Sequence, residues 1–406
     1  MKVAYYSPLP PERSGIADYS ALLLPALRRR IEVSVARRGG RRPPRGADLA
    51  LYHVGNDPEH HWWIVEALRN RPGVVVLHDF VLHHLVAGMT LGRRQSEGYL
   101  DAMQRQAGPV GRMLAHGVID GVLPPVWEKR AHEFPLTGEV LAHATGVIVH
   151  SRYVERRVRE QGYAGPVWRI PHPAWPEPAA IAVADLPSDR FVVGCFGHLN
   201  PAKRLPQLLE AFALLRERVP KALLLLVGPF SPGLEPALPA GAMHHDYVDE
   251  ERLWSLLSAS DVSVSLRYPT MGETSGIVVR ALSLGKPLVV SDVGWFADLP
   301  DEAAVKIPVG GEEVELLADT LEGLARDPAR RAEMGAAARA LAEGENELER
   351  VAEAYTAALE EAAGGGLVRE TVRSEVAAAA AETGLRPGGD ALAEVAERLR
   401  EVGRGR

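Results

Sequence analysis

The residues of this chain best suited to chemistry lie in Arg267-Tyr-Pro-Thr-Met-Gly-Glu-Thr-Ser-Gly276. An apolar run of helix length continues to Leu284, followed by Gly285-Lys-Pro287 and a strand-like segment 288–291. A strand ending at Leu266, a turn at Pro269 and Gly272, and a helix capped by Thr274 or Ser275 fit this order. Free backbone N–H groups and the positive end of the helix dipole, near Gly276, then face a crevice and favour phosphate. Glu273 repels phosphate but accepts hydrogen bonds from sugar hydroxyls. Arg267 and Thr270, at the carboxyl end of a strand, point into the same crevice by the rule for open α/β sheets. The stretch therefore reads as a sugar-phosphate site. The plainer reading is a capped helix between two strands, stopped at Gly285.

Two more loops have the same strand-to-helix setting. Residues 8–19 follow the opening strand, where Gly15 lets the backbone approach a ligand and Asp18 and Tyr19 sit on the first helical turn. Phe196-Gly-His-Leu-Asn-Pro-Ala-Lys203-Arg204 follows the first strand of the second half. Cations are disfavoured at a helix start, so solvation alone explains Lys203 and Arg204 poorly. Polar residues also end successive strands of the first half: His53 and Asn56, His78 and Asp79, and His150. Strand ends lie on one rim, the rim that would face the second half. His60-His61 and His83-His84 lie in helical periodicity without a Cys or acidic partner at ligand spacing, so no metal site is read.

The elements that must position these groups alternate. Strands are expected at 2–7, 32–36, 49–54, 74–78, 146–150 and 167–170, with helices at about 16–30, 63–69, up to about 108, and 153–160. Alternation of this kind gives a parallel sheet covered on both faces. Five prolines between 171 and 189 break the pattern as an interdomain linker. The second half repeats it, with strands at 191–196, 222–228, 262–266, 288–291 and 305–307 and helices at 205–218, 250–259, 275–284 and 312–326. Residues 329–363 read as almost continuous helix. The expected division is 1–173, a linker 174–189, a second domain 190–340, a helix 341–363 crossing back to the first domain, and a helical tail 364–406 without an assigned role.

At 406 residues the chain suits two domains plus a tail. A net charge of −7 argues against non-specific nucleic-acid binding. That average conceals a basic cluster, Arg28-Arg29-Arg30, Arg37-Arg38, Arg41-Arg42 and Arg45, read either as a solvated helix end or as a patch for an anionic membrane face. Apolar runs are of strand length, no signal segment is read before the first strand, and the single cysteine, Cys195, cannot pair within the chain. A reducing cytoplasm is the expected setting, at most peripheral to the inner membrane face.

With these halves in place, residues 1–363 resemble the GT-B glycosyltransferases of family 4, which transfer a sugar from a nucleotide-sugar with retention at the anomeric carbon. The resemblance implies two facing Rossmann-like domains, a UDP- or GDP-sugar as substrate, no permanently bound cofactor, and a sugar or lipid-linked acceptor in polysaccharide assembly. It implies that the Gly15 loop closes over the diphosphate and acceptor. It also implies that Lys203 and Arg204 hold the diphosphate and stabilise the leaving group, that Glu273 contacts the donor sugar, and that His78 lies near the anomeric carbon. Thr274, Ser275 and Gly272 complete the donor loop, while Asp18, Tyr19, His53, Asn56, Asp79 and His150 are acceptor-side candidates. The chain departs from the family pattern at three positions: His198 replaces an Arg, Arg280 stands where a second glutamate grips the ribose, and Glu273 lies one residue closer than the first glutamate. No Asp-x-Asp triplet is present to hold a metal-bound diphosphate. The alternative is a nucleotide-sugar-binding partner that transfers nothing; a dinucleotide-dependent oxidoreductase lacks its Gly-x-Gly-x-x-Gly.

Overall fold

The computed structural model describes residues 1–39, 44, 46–187 and 189–364. The first domain runs β1 (Lys2–Tyr6), α1 (Gly15–Arg28), β2 (Glu32–Val35), β3 (Leu49–Val54), α2 (Pro58–Asn70), β4 (Gly73–Leu77), α3 (His83–Thr90), α4 (Ser96–Ile119), α5 (Val126–Lys129), α6 (Gly138–Leu141), β5 (Ala144–Val149), α7 (Arg152–Glu160) and β6 (Val167–Arg169). Its six strands are parallel in the order β2-β1-β3-β4-β5-β6. Every residue of β4 is buried, as a strand with helices on both faces requires. The helical pattern near Gly108 does not stop there: α4 kinks at Ala107 and Gly108 and continues to Ile119, with Pro109 tolerated after the kink.

The second domain runs β7 (Phe191–Phe196), α8 (Leu205–Arg218), β8 (Ala222–Val227), β9 (Ala242–His245), α9 (Glu250–Ser258), β10 (Val262–Ser265), α10 (Gly276–Ser283), β11 (Leu288–Ser291), α11 (Gly294–Ala297), β12 (Ala304–Ile307), α12 (Glu313–Arg326) and α13 (Pro328–Glu343), with α14 (Leu348–Ala363) after it. Its sheet order, β12-β11-β10-β7-β8-β9, is the doubly wound order with the switch point between β7 and β10. The Lys203 loop follows β7 and the 267–276 loop follows β10, so both flank that point. The two facing Rossmann-like domains expected from the sequence are present. Residues 365–406 of the expected tail lie outside the described residues.

The segment read as one helix from 329 to 363 is two. Helix α13 packs on α10, where Gly335 meets Gly285 so closely that a Cβ on Gly335 would lie 2.4 Å from the Gly285 carbonyl oxygen. The chain then breaks at 344–347, and α14 lies on α1 of the first domain, burying Val351, Ala352, Tyr355 and Leu359 with Tyr19, Leu23 and Leu27. Asn346 fixes the break. Its amide donates to the His172 carbonyl (2.7 Å), and its own carbonyl accepts from Ala174 N–H (2.7 Å). The linker is not free either, since Trp175 and Ala184 are buried in the second domain's core.

The domains also meet through the 267–276 loop. The Met271 carbonyl accepts from Phe80 N–H (2.7 Å) and Val81 N–H (2.9 Å), just past β4, and Tyr153 N–H donates to Asp298 (3.1 Å). Gly272 has φ +80°, and a Cβ there would lie 2.5 Å from Phe80 Cβ. Gly272→Ala is therefore expected to cost about 1–3 kcal/mol of closed-state stability. Small-angle scattering should show a larger radius of gyration, and an unchanged radius would contradict this seam.

Candidate active site

Ser275 is the cap of α10, accepting from Val278 N–H (3.4 Å), and Gly276 is the first helical residue. The loop before it is braced from within by Glu273. One carboxylate oxygen pairs with Arg267 Nε (2.8 Å), and the other accepts from Met271 N–H (2.7 Å) and the Thr270 hydroxyl (3.1 Å). Thr270 in turn accepts from Gly272 N–H (3.0 Å). Glu273 and Arg267 are thus engaged with each other rather than extended as free ligand groups. The catalytic candidate Glu273 thus braces the 267–276 loop in this structure. Arg267 N–H also donates to Ser291 (2.8 Å), which anchors the loop to β11. The Thr274 side chain makes no hydrogen bond among the described residues.

Lys203 is buried, and its ammonium donates to the Phe196 carbonyl at the end of β7. Burial pulls its pKa down to about 8. A Cβ built on Gly197 would lie 3.3 Å from Lys203 Nζ and 3.5 Å from Ile277 Cγ1. The absence of a side chain at Gly197 therefore lets the ammonium and the first turn of α10 converge, which is where two anion-attracting groups would grip a diphosphate.

Arg204 does not join them. It is left-handed at φ +51° and turns to Glu313 at the start of α12, where its Nε donates to both carboxylate oxygens (2.6 and 2.8 Å). The Glu313 side chain is only 1% exposed, so the carboxylate has nowhere else to find a positive charge. Arg204, the candidate to replace the missing Arg at His198, is thus committed to Glu313 in this structure. His198 is largely exposed, its ring bonded to Ser231 (3.0 Å), with partial desolvation and then the Lys203 charge holding its pKa below the usual imidazole value. Glu313→Gln should cost about 3 kcal/mol in urea unfolding, because it strips one charge from a buried pair. Inorganic pyrophosphate affinity should stay within about twofold. A tenfold loss of that affinity in Arg204→Met would show that Arg204 leaves its partner to hold phosphate.

The strand-end residues of the first domain do come together, but inward. His53 Nδ1 and His78 Nε2 are 3.0 Å apart, and both rings are buried. Tyr19 lies among four imidazoles, with ring centres 5.8 Å from His53, 4.7 Å from His78, 5.3 Å from His150 and 4.7 Å from His172. The Tyr19 hydroxyl meets that of Tyr355 on α14 at 2.7 Å. The acceptor-side candidates Tyr19, 1% exposed, and His53, 0% exposed, are thus buried in the core. Burial first, then neighbouring imidazoles, holds the pKa of His53 and His78 well below the usual value, and burial brings His150 to about 4 and His172 to about 3. His150 Nδ1 bonds the Ile170 carbonyl (2.9 Å). Sequence reasoning missed His172, although its place just past β6 follows the same strand-end pattern.

Asp79 lies beneath the seam and accepts from Asn56 N–H (2.8 Å), while Asn56 accepts from Leu85 N–H (3.2 Å). Burial, then the charge of Glu273 across the domain boundary, lifts the Asp79 carboxyl to about 7. Of the other acceptor candidates, Asp18 is exposed and lines a hollow of about 570 Å³ at the domain junction, together with Arg280, Glu250 and Trp175. Lys203, Glu273 and His78 do not line it. Arg29 and Arg30 of the basic cluster pair with Glu349 on α14 and Arg38 lies 3.9 Å from Glu12, so that end of the cluster serves the fold. Arg41, Arg42 and Arg45 lie outside the described residues.

Among the described residues, no group of His, Cys, Asp or Glu is placed to hold a metal ion, and no helix is long and apolar enough to cross a membrane.

Two facing doubly wound domains, joined by a linker and recrossed by a C-terminal helix, define the GT-B architecture. Residues 177–341, most of the linker and of the second domain, match the family model for glycosyl transferases group 1. A D-inositol 3-phosphate glycosyltransferase of Arthrobacter sp. (strain FB24) is 30% identical over 179 residues, which is 41% of this chain and 42% of that relative. The chain thus matches less than half the length of that curated relative. Sucrose-phosphate synthase from Thermosynechococcus elongatus superposes with a TM-score of 0.58 at 19% identity, over 92% of this chain and 99% of that one. Anabaena Alr3699/HepE, solved in complex with UDP, gives 0.59 at 16% identity, over 89% and 100%. At such identities the likeness is one of fold.

Proposed function

We propose that this protein is a retaining, metal-independent glycosyltransferase that moves a sugar from a nucleotide-sugar to a hydroxyl acceptor, a glycan, a lipid-linked glycan or a small molecule. The observation that carries this reading is the convergence of Lys203 Nζ and the first turn of α10 across Gly197, at the switch point of the second sheet and beside the seam with the first domain. A diphosphate there meets an ammonium and free backbone N–H groups, which stabilise the charge that grows on the leaving nucleotide. Retention follows if the departing diphosphate oxygen takes the proton of the acceptor hydroxyl as that hydroxyl attacks from the same face. His78 is neutral at physiological pH, so it does not oppose positive charge developing on the sugar. The Met271 to Phe80 and Val81 bonds tie the donor loop to the first domain, so closure excludes water during transfer and opening releases product.

The test is a transfer assay with a panel of UDP- and GDP-sugars and acceptors that include polyol phosphates, suggested by the curated relative's name. It is run with and without a chelator, and the anomeric configuration of the product is read by NMR. Transfer with retention in the chelator is the expected result. Inversion, or loss of activity on chelation, would overturn the mechanism, and binding without turnover across the panel would favour the partner role. The reading places the protein in the cytoplasm, where nucleotide-sugars are made.

A further inference from the structure

We infer that the hollow at the domain junction receives the base of the donor nucleotide and that its side chains select guanine; this rests on the transferase reading above. The hollow holds about 570 Å³, ample for a nucleoside. Arg280 on α10 forms one wall, its guanidinium 3.8 Å from the Trp175 ring centre. Its side chain is 9% exposed, yet its donors are poorly used. Nε has no partner among the described residues, Nη1 is 3.5 Å from the Gly276 carbonyl, and Nη2 is 3.7 Å from Glu250. Charge-assisted bonds of a committed guanidinium are about 2.7–2.9 Å.

The hollow and the Lys203 site lie against the same turn of α10. A Cβ on Gly276 would lie 3.3 Å from Trp175 and 3.6 Å from Arg280 Nη1, while its neighbour Ile277 reaches the Gly197 and Lys203 side. The first turn of α10 therefore has the guanidinium on one flank and the ammonium on the other. A nucleoside diphosphate laid across that turn puts its phosphates at Lys203 and its base in the hollow.

The lining dictates the base. Asp18, Glu250 and Glu251 accompany Arg280 there, so the charge is net negative and an anionic group is repelled. A neutral planar ring is needed that offers two adjacent acceptors to the guanidinium and N–H donors to a carboxylate, with faces for Trp175 and Trp254. Guanine has this set, O6 and N7 as acceptors and N1–H with the exocyclic amine as donors. Uracil has a single N–H on its ring edge, and adenine has no carbonyl.

Isothermal titration of the full chain with GDP, UDP, ADP and inorganic pyrophosphate tests this. GDP should bind at least about tenfold tighter than UDP or ADP. Arg280→Lys, which keeps the charge but loses the planar fork, should erase about 10- to 100-fold of that preference. Pyrophosphate affinity should stay within about twofold. Glu250→Gln, at an exposed side chain, should weaken GDP alone. UDP or ADP binding as tightly as GDP, or a preference untouched by both substitutions, overturns guanine selection and leaves the transferase reading standing. Failure of every nucleoside diphosphate and of pyrophosphate to bind overturns both.

Discussion

Lys203→Met is expected to lower turnover by about 10²- to 10³-fold, the usual loss when a preorganised group facing transition-state charge is removed. The substitution keeps an unbranched stem in the buried site and deletes only the ammonium. Stability should not fall with activity. The folded pKa of Lys203, about 8, is below the ordinary lysine value of about 10.4, so the charged form is disfavoured by the native state. Below pH 8 the native protein carries that penalty. Between about pH 8 and 10.4 the unfolded chain holds the proton that the native chain has released, so stability rises with pH across this window. Lys203→Met should lack that rise and match or exceed the wild type in urea unfolding at pH 7. A diphosphate in the site raises the pKa again, so pyrophosphate binding should take up a proton when measured near pH 8.5. Near-wild-type turnover, or stability lost in proportion to turnover, would remove Lys203 from the mechanism.

The parts of this arrangement that were legible in the sequence are those set by local pattern. Helix α8 and strand β11 lie where periodicity puts them, and the Ser275 cap was readable from a hydroxyl before an apolar run. β9 and α11 were not legible: β9 follows a loop rich in glycine and proline and carries two histidines instead of an apolar run, and α11 has a single turn, too short to show a helical period. The break before α14 carries only Gly344 and Asn346 as local signals. It exists because Asn346 bonds the linker, a contact between residues 174 positions apart.

Side-chain direction set the second limit. Asp18 and Tyr19 are neighbours on α1, yet one faces the junction hollow and the other the core. The stripe Tyr19, Leu23, Ala26 and Leu27, all buried, marks the inward face, a spacing in the sequence that the acceptor-side reading of Tyr19 passed over. Arg204 shows what no local pattern contains. Its partner Glu313 is 109 residues away, so of a Lys-Arg pair that looked like two phosphate ligands, Arg204 is paired within the fold and Lys203 is left beside the first turn of α10. Arg280 is the converse, since a departure from the family motif becomes informative only when Trp175, Asp18 and Glu250 are seen around it.

Acid should unfold this protein earlier than its carboxylates alone would predict. His53, His78, His150 and His172 surround Tyr19 in the core, and all stay neutral in the native state well below the ordinary histidine pKa of about 6.5. Their folded values are depressed, with His150 at about 4 and His172 at about 3. Between pH 6.5 and those values the unfolded chain binds protons that the native chain refuses, so stability falls as pH falls. Each such histidine contributes a slope of about 1.4 kcal/mol per pH unit. Asp79 opposes them. With its folded value raised to about 7, the native state holds a proton there that the unfolded chain releases, which favours the native state as pH drops from 7 towards the ordinary aspartate range. These four, with His61 and His83 also held by burial at about 4, outweigh the one aspartate and leave a net loss of several kcal/mol between pH 6.5 and 5, a large part of a typical stability of about 5–15 kcal/mol. Urea unfolding at half-unit intervals should show this slope, and His172→Gln should make it shallower by about one histidine's share. The loss should also release α14, because Tyr355 is bonded to the tyrosine at the centre of the cluster. Hydrogen exchange in residues 348–363 would then accelerate together with the core of α1. A flat profile from pH 7 to 5, or exchange in α14 that is independent of pH, would show that these imidazoles are protonated within the fold.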